Sequence, residues 1–123
     1  EIIYGNAAPP IDLMKSDAKK LMGIPTSSGY YQGRVKVVRS TDDFGRVVKG
    51  DVIAIPFSDV AWTPLFAKAG AVIAESGGIL SHSSIVAREY GIPCVVSVNG
   101  ACNLPEDCEV IVDGYQGAVH IVE

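Results

Sequence analysis

The residues with the most chemical potential lie in one stretch, Gly77-Gly78-Ile79-Leu80-Ser81-His82-Ser83-Ser84-Ile85-Val86-Ala87-Arg88-Glu89-Tyr90-Gly91-Ile92-Pro93. A histidine stands between serines, after a glycine pair and ahead of a run with helical spacing. Gly91 and Pro93 close that run, as helix ends commonly do. A helix start offers unpaired N–H groups and a partial positive charge, both suited to holding a phosphate. An imidazole placed there can also bond covalently to phosphorus, provided that one ring nitrogen keeps its lone pair. Gly77 and Gly78 carry no β-carbon, so a bulky phosphate can approach the backbone. Ser81, Ser83 and Ser84 can cap the helix or donate to phosphate oxygens. Arg88 lies six residues after His82, about 600° round an ideal helix, and so not directly beneath it. It reaches a phosphate only by folding back, or else it meets a facing domain. The expectation is that His82 serves as a transient phosphohistidine.

On residue types alone a second reading stays open, that His82 is an ordinary surface or core histidine beside a common Gly-Gly loop. The remaining candidates are weaker. His120, in Val119-His120-Ile121-Val122, alternates as a strand residue does. Asp42-Asp43, Glu106-Asp107 and Glu109 read as solvated turns. Cys94, Cys102 and Cys108 have neither zinc-knuckle nor disulfide spacing and read as small thiols of a cytoplasmic protein. No spacing brings them to His82, so no metal site is expected.

The elements that must position the histidine are short. Runs rich in branched side chains at Arg34–Arg39, Asp51–Phe57, Ala71–Ala74, Cys94–Val98, Val110–Val112 and Ala118–Val122 read as strands bounded by Gly, Pro, Asp or Ser. Helices are predicted at Trp62–Lys68, with Pro64 in the first turn, and at Ser83–Tyr90, with Ile85, Val86 and Tyr90 turned to the core. Asp113-Gly114-Tyr115-Gln116-Gly117 reads as the loop of a hairpin. Residues 1–22 read as a linker or peripheral helix, with Asp12 capping a helix through Leu21 that ends at Gly23-Ile24-Pro25, and residues 23–123 as the main domain. This pattern gives an α/β or α+β class.

Composition bounds the rest. The 123 residues, 48% hydrophobic, suffice for one core. Ten scattered basic residues and a net charge of −4 argue against nucleic acid. No apolar run approaches the ~20 residues of a membrane span. The chain begins at Glu1 and reads as a piece of a longer protein.

Gly77 to Pro93 closely resembles the phosphohistidine segment of the phosphoenolpyruvate-utilising enzymes, whose usual form is Gly-Gly-x-(Thr/Ser)-(Ser/Cys)-His-(Ala/Ser)-(Ala/Ser)-Ile-Val-Ala-Arg, continuing into Gly-Ile-Pro. Gly50 to Phe66 resembles the segment before it in that family, and Val112-Asp113-Gly114, with Gly117 and Val119, the segment near its end. The resemblance covers about residues 24–123. It implies a compact three-layer β/β/α swivelling domain, as in pyruvate phosphate dikinase, phosphoenolpyruvate synthase, enzyme I of the sugar phosphotransferase system and rifampicin phosphotransferase. It also implies a multidomain phosphotransferase in which the histidine carries a phosphoryl group between an ATP-grasp nucleotide site and an acceptor or phosphoenolpyruvate site, both on other domains. By position His82 matches the phosphorylated residue, and Gly77, Gly78, Ser81, Ser83 and Arg88 match the segment around it. Mg²⁺ and ATP or phosphoenolpyruvate are then expected on partner domains, with no cofactor in this one and no turnover by it alone. One departure is Leu80, where dikinases and enzyme I usually carry Thr; it looks more like the synthase and rifampicin-type branch. The rival expectation is a non-catalytic regulatory or interaction module that keeps the swivelling fold; a milder rival, swivelling architecture of the aconitase type without phosphohistidine, is opposed by the Gly-Gly-x-x-Ser-His segment.

Overall fold

Val and Ile fit a pleated surface with neighbours on both faces, and the branched runs accordingly become strands. The computed structural model describes residues 20–122. Its strands are β1 (Lys20–Met22), β2 (Ile24–Ser27), β3 (Tyr30–Val37), β4 (Val52–Ile55), β5 (Ala71–Ala74), β6 (Cys94–Val96), β7 (Glu109–Asp113) and β8 (Ala118–Val122). Two α-helices, α1 (Thr63–Phe66) and α2 (His82–Tyr90), and three short 3-10 turns complete the described chain. The strands form one mixed sheet in the order β1-β8-β7-β3-β4-β5-β6-β2, with β3, β4, β5 and β6 parallel.

Only Gly23 separates β1 from β2, yet these strands hold opposite ends of that order. The sheet therefore curls until its ends meet. Gly23 sits at the meeting point, where its N–H donates to the Gly117 carbonyl at 2.7 Å. A β-carbon there would lie 2.4 Å from the Val96 carbonyl oxygen and 2.6 Å from Val98, which only glycine avoids.

Alternation along the parallel strands sorts the core into two layers. Val52 and Ala54 of β4, Ala71 and Ile73 of β5 and Val95 of β6 pack against Val110 and Val112 of β7 and Val119 of β8. The residues between them, Ile53, Ile55, Val72, Ala74, Cys94 and Val96, face the opposite way and pack under Leu65 and Phe66 of α1 and Val86 and Ala87 of α2. The result is the three-layer β/β/α arrangement. Burial pushes the Cys94 and Cys102 thiols up to about 11, in keeping with two small core side chains.

Several elements differ from the sequence reading. β3 starts at Tyr30, four residues before Arg34, because its first half pairs with β7 and its second half with β4. Most of the helix expected from Asp12 through Leu21 falls on residues outside the described ones. Its expected end is strand: Leu21 lies in β1, paired with Val119. β2 is an unforeseen strand carrying Pro25, tolerated because β2 is an edge strand bonded to β6 alone. α1 shrinks to one turn, led in by a 3-10 turn over Val60–Trp62. Of the side chains of α2 expected to face the core only Val86 does, joined by Ala87, while Ile85 and Tyr90 are exposed. The 113–117 hairpin forms as expected, tightened by Asp113 Oδ1, which accepts from the N–H groups of Tyr115 and Gln116.

Two outcomes are expected. Gly23→Ala should lower unfolding free energy by about 1–3 kcal/mol, the range for overpacking, seen as a reduced urea midpoint at unchanged slope. His120 is held below the usual imidazole pKa by burial, then by Lys20, with Asp113 opposing. The unfolded chain therefore binds this proton first as pH falls, and stability present above about pH 6.5 is lost below it. The melting temperature should drop between pH 7.5 and 5.5, and His120→Gln should flatten that drop.

Candidate functional site

The parallel strands β4 and β5 pair in register, Ile55 opposite Ala74, so the loops leaving their carboxyl ends run side by side. The ladder continues past both strands: Glu75 N–H donates to Ile55 O at 2.8 Å, and Ser76 Oγ donates to Pro56 O at 2.8 Å. The first loop carries Ser58 and leads to Thr63 at the start of α1. The second carries Gly77 to Ser81 and opens α2 at His82.

His82 is half-buried and gripped from two sides. Its Nδ1 lies 2.8 Å from Ser58 Oγ, and Ser58 Oγ lies 2.8 Å from Ser83 Oγ. Its Nε2 lies 3.1 Å from Thr63 Oγ1. The Phe66 ring meets the imidazole edge to face, centroids 5.9 Å apart. Ser83 is 3% exposed, so the Nδ1 edge faces the interior of the domain. The ring is thus fixed in position before any ligand arrives.

The serines and glycines divide their tasks. Ser81 is the N-cap of α2; its Oγ accepts from Ser84 N–H and donates to Gly78 O at 2.8 Å. Ser84 Oγ donates to the same carbonyl at 2.7 Å. Ser81 N–H bonds to Gly78 O, and Ile85 N–H makes the first regular bond of the helix, to Ser81 O, so of the four N–H groups that open the helix those of Ser81 and Ser84 are taken locally. Gly77 has φ +123°, and a β-carbon on it would lie 2.9 Å from Ser81 Oγ; it is demanded by the loop itself. A β-carbon on Gly78 would meet nothing within 4 Å, so that position faces open space.

Arg88 does fold back, but onto main chain. Its Nε donates to Thr26 O of β2 and its Nη2 to Ile79 O, both at 2.7 Å. The guanidinium thus ties the loop before His82 to the edge of the sheet. Leu80 is 82% exposed and Ile79 60%. The structure therefore brings His82, Ser81, Ser83, Gly77 and Gly78 together and commits the Arg88 guanidinium to the carbonyls of Thr26 and Ile79. Ser58 and Thr63, which touch the imidazole, escaped the sequence reading. The available signal was a hydroxyl residue just beyond a predicted parallel strand, where such sheets place their sites. Among the described residues no group of three His, Cys, Asp or Glu is placed to hold a metal ion, and no helix is long and apolar enough to cross a membrane.

Residues 47–117 match the family model described as PEP-utilising enzyme, mobile domain. The chain belongs to this family. It is 37% identical over 106 residues to a rifampicin phosphotransferase of Bacillus cereus, covering 85% of this chain and 12% of that protein. It is 37% identical over 117 residues to a phosphoenolpyruvate synthase of Aeropyrum pernix, covering 93% of this chain and 14% of that protein. The mobile domain therefore spans about an eighth of the length of these relatives. Its fold is shared with Thermococcus kodakaraensis aconitase X, TM-score 0.67 at 20% identity, over 86% of this chain and all of that one. That likeness concerns the fold alone, and the chemistry rests on the site.

Ser81→Ala removes both the cap and a bond to Gly78 O. It should destabilise the mobile domain by ~1 kcal/mol, the usual loss for an N-cap serine, measured by urea unfolding.

Proposed function

We propose that this mobile domain carries a phosphoryl group on His82 within a multidomain PEP-utilising phosphotransferase. The observation that carries the reading is the fixed imidazole, held at both nitrogens by hydroxyls where α2 begins. In the reactive tautomer Nδ1–H donates to Ser58 Oγ, whose own proton passes to Ser83 Oγ. Nε2 then keeps the lone pair that bonds to phosphorus. The N–H groups of His82 and Ser83 and the positive end of α2 favour the phosphoryl dianion once it is attached. Open space at Gly78 suits the approach of a donor or acceptor.

In this reading the phosphoryl group moves between an ATP-grasp nucleotide site and an acceptor or phosphoenolpyruvate site, both on other domains in cis or in trans. Those domains supply Mg²⁺ and the substrates. The covalent intermediate divides one transfer between distant substrates into two shorter ones, and swivelling brings His82 to each. Turnover then requires the partners, and the cytoplasm, where ATP is available, is the expected setting. The alternative reading is an interaction or regulatory module that keeps the fold without the phosphohistidine.

Incubation with Mg²⁺, ATP and the accompanying nucleotide domain separates the two. The carrier reading expects a base-stable, acid-labile phosphate in the parent chain and none in His82→Ala. Equal labelling of both chains contradicts it.

A further inference from the structure

Nε2, the atom that attacks phosphorus in the carrier reading, lies 3.1 Å from the Thr63 hydroxyl, which donates to it in the tautomer that carries its proton on Nδ1. That hydroxyl is well anchored. Thr63 is the first residue of α1, with φ −52° and ψ −42°, and its N–H bonds to Val60 O. Pro64 follows directly, which fixes the backbone further. The other ring nitrogen is held by Ser58 and, through it, by buried Ser83. The imidazole therefore cannot turn away from Thr63 without breaking that chain.

We propose that Thr63 is a catalytic residue of the transfer, its hydroxyl proton passing from His82 Nε2 in the resting domain to a phosphoryl oxygen in the phosphorylated one. The proposal rests on the carrier reading above. A hydroxyl has one proton and serves one acceptor at full strength at a time. As the Nε2 lone pair forms the N–P bond, the bond from phosphorus to the leaving group breaks and its electron pair departs with that group. The Nδ1 proton stays on the ring, held by Ser58. Thr63 then has no acceptor on nitrogen, while charged phosphoryl oxygens stand next to the atom that it has released. A neutral O–H···N bond gives way to a charge-assisted O–H···O⁻ bond of roughly twice the strength. The hydroxyl therefore favours the phosphorylated state and the approach to it over the resting state. This contact differs from the cap hydroxyls of Ser81 and Ser84, both of which are committed to Gly78 O.

Phosphoramidate provides a test that needs no partner domain: Nε2 displaces ammonia from its phosphorus, and the label is followed by ³¹P NMR. The 123-residue chain should become labelled on His82, while His82→Ala should not. Thr63→Val keeps the side-chain shape and removes the proton. It should slow labelling about tenfold, the size expected for exchanging a neutral for a charged hydrogen bond, and should shift the phosphohistidine resonance. Thr63→Ser should restore both. Labelling and resonance in Thr63→Val equal to the parent overturn the role of Thr63 and leave the carrier reading intact. A loss that Thr63→Ser does not restore also overturns it, since the effect then belongs to α1 packing, which melting of each variant reports. A parent chain that does not label on His82 overturns the carrier reading, and this role with it.

Discussion

The in-register pairing of β4 with β5 is the constraint on which the site depends. Ile55 stands opposite Ala74, and the hydrogen bonds from Glu75 and Ser76 to Ile55 and Pro56 carry the pairing beyond the strands. Two loops from separate parts of the chain are thereby held at a fixed distance. Ser58 then meets Nδ1, and Thr63 meets Nε2 of a histidine 24 and 19 residues further on. A slip of one residue would exchange the two faces of each strand. Ile53 and Ile55 would leave the helical layer, and the loops would no longer meet. The site is thus a product of the core, and the core is set by residues alternating along strands of four.

The three layers make that register rigid while leaving the histidine at an edge. One face of the parallel strands is sealed by β7 and β8 and the other by α1 and α2. The curl that joins β1 to β2 through Gly23 closes the structure on itself, and Arg88 fastens the Gly77–Ser81 loop to β2 at that same edge. What stands clear of this frame is Ile79, Leu80 and the approach past Gly78. A carrier that visits different sites needs this division, in which the reacting group is fixed relative to its own domain and the domain moves as a unit.

Much of this was legible in the sequence. The helix over residues 83–90, its glycine stop and its serine cap follow from local rules that the chain obeys, and the branched runs locate six of the eight strands. β1 and β2 were not legible, since three residues beside a glycine and four with a proline carry no period of their own. They exist because the sheet has edges for them to complete. Ser58 and Thr63 were hidden for a related reason. Nothing local distinguishes a serine or threonine that will touch an imidazole from one that faces water, and only the β4–β5 register supplies the contact. The angle of Arg88 on the helix did not disclose that its partners are the carbonyls of Thr26 and Ile79.

The central claim is that the fixed imidazole of His82 carries phosphorus on Nε2. Proton–phosphorus correlation NMR on the phosphorylated chain tests it most directly, because phosphorus on Nε2 couples to both carbon-bound ring protons and phosphorus on Nδ1 to only one of them. The account predicts a single phosphorus resonance coupled to both ring protons of His82. A resonance coupled to one ring proton, or phosphorus found on a serine or on His120, would contradict it.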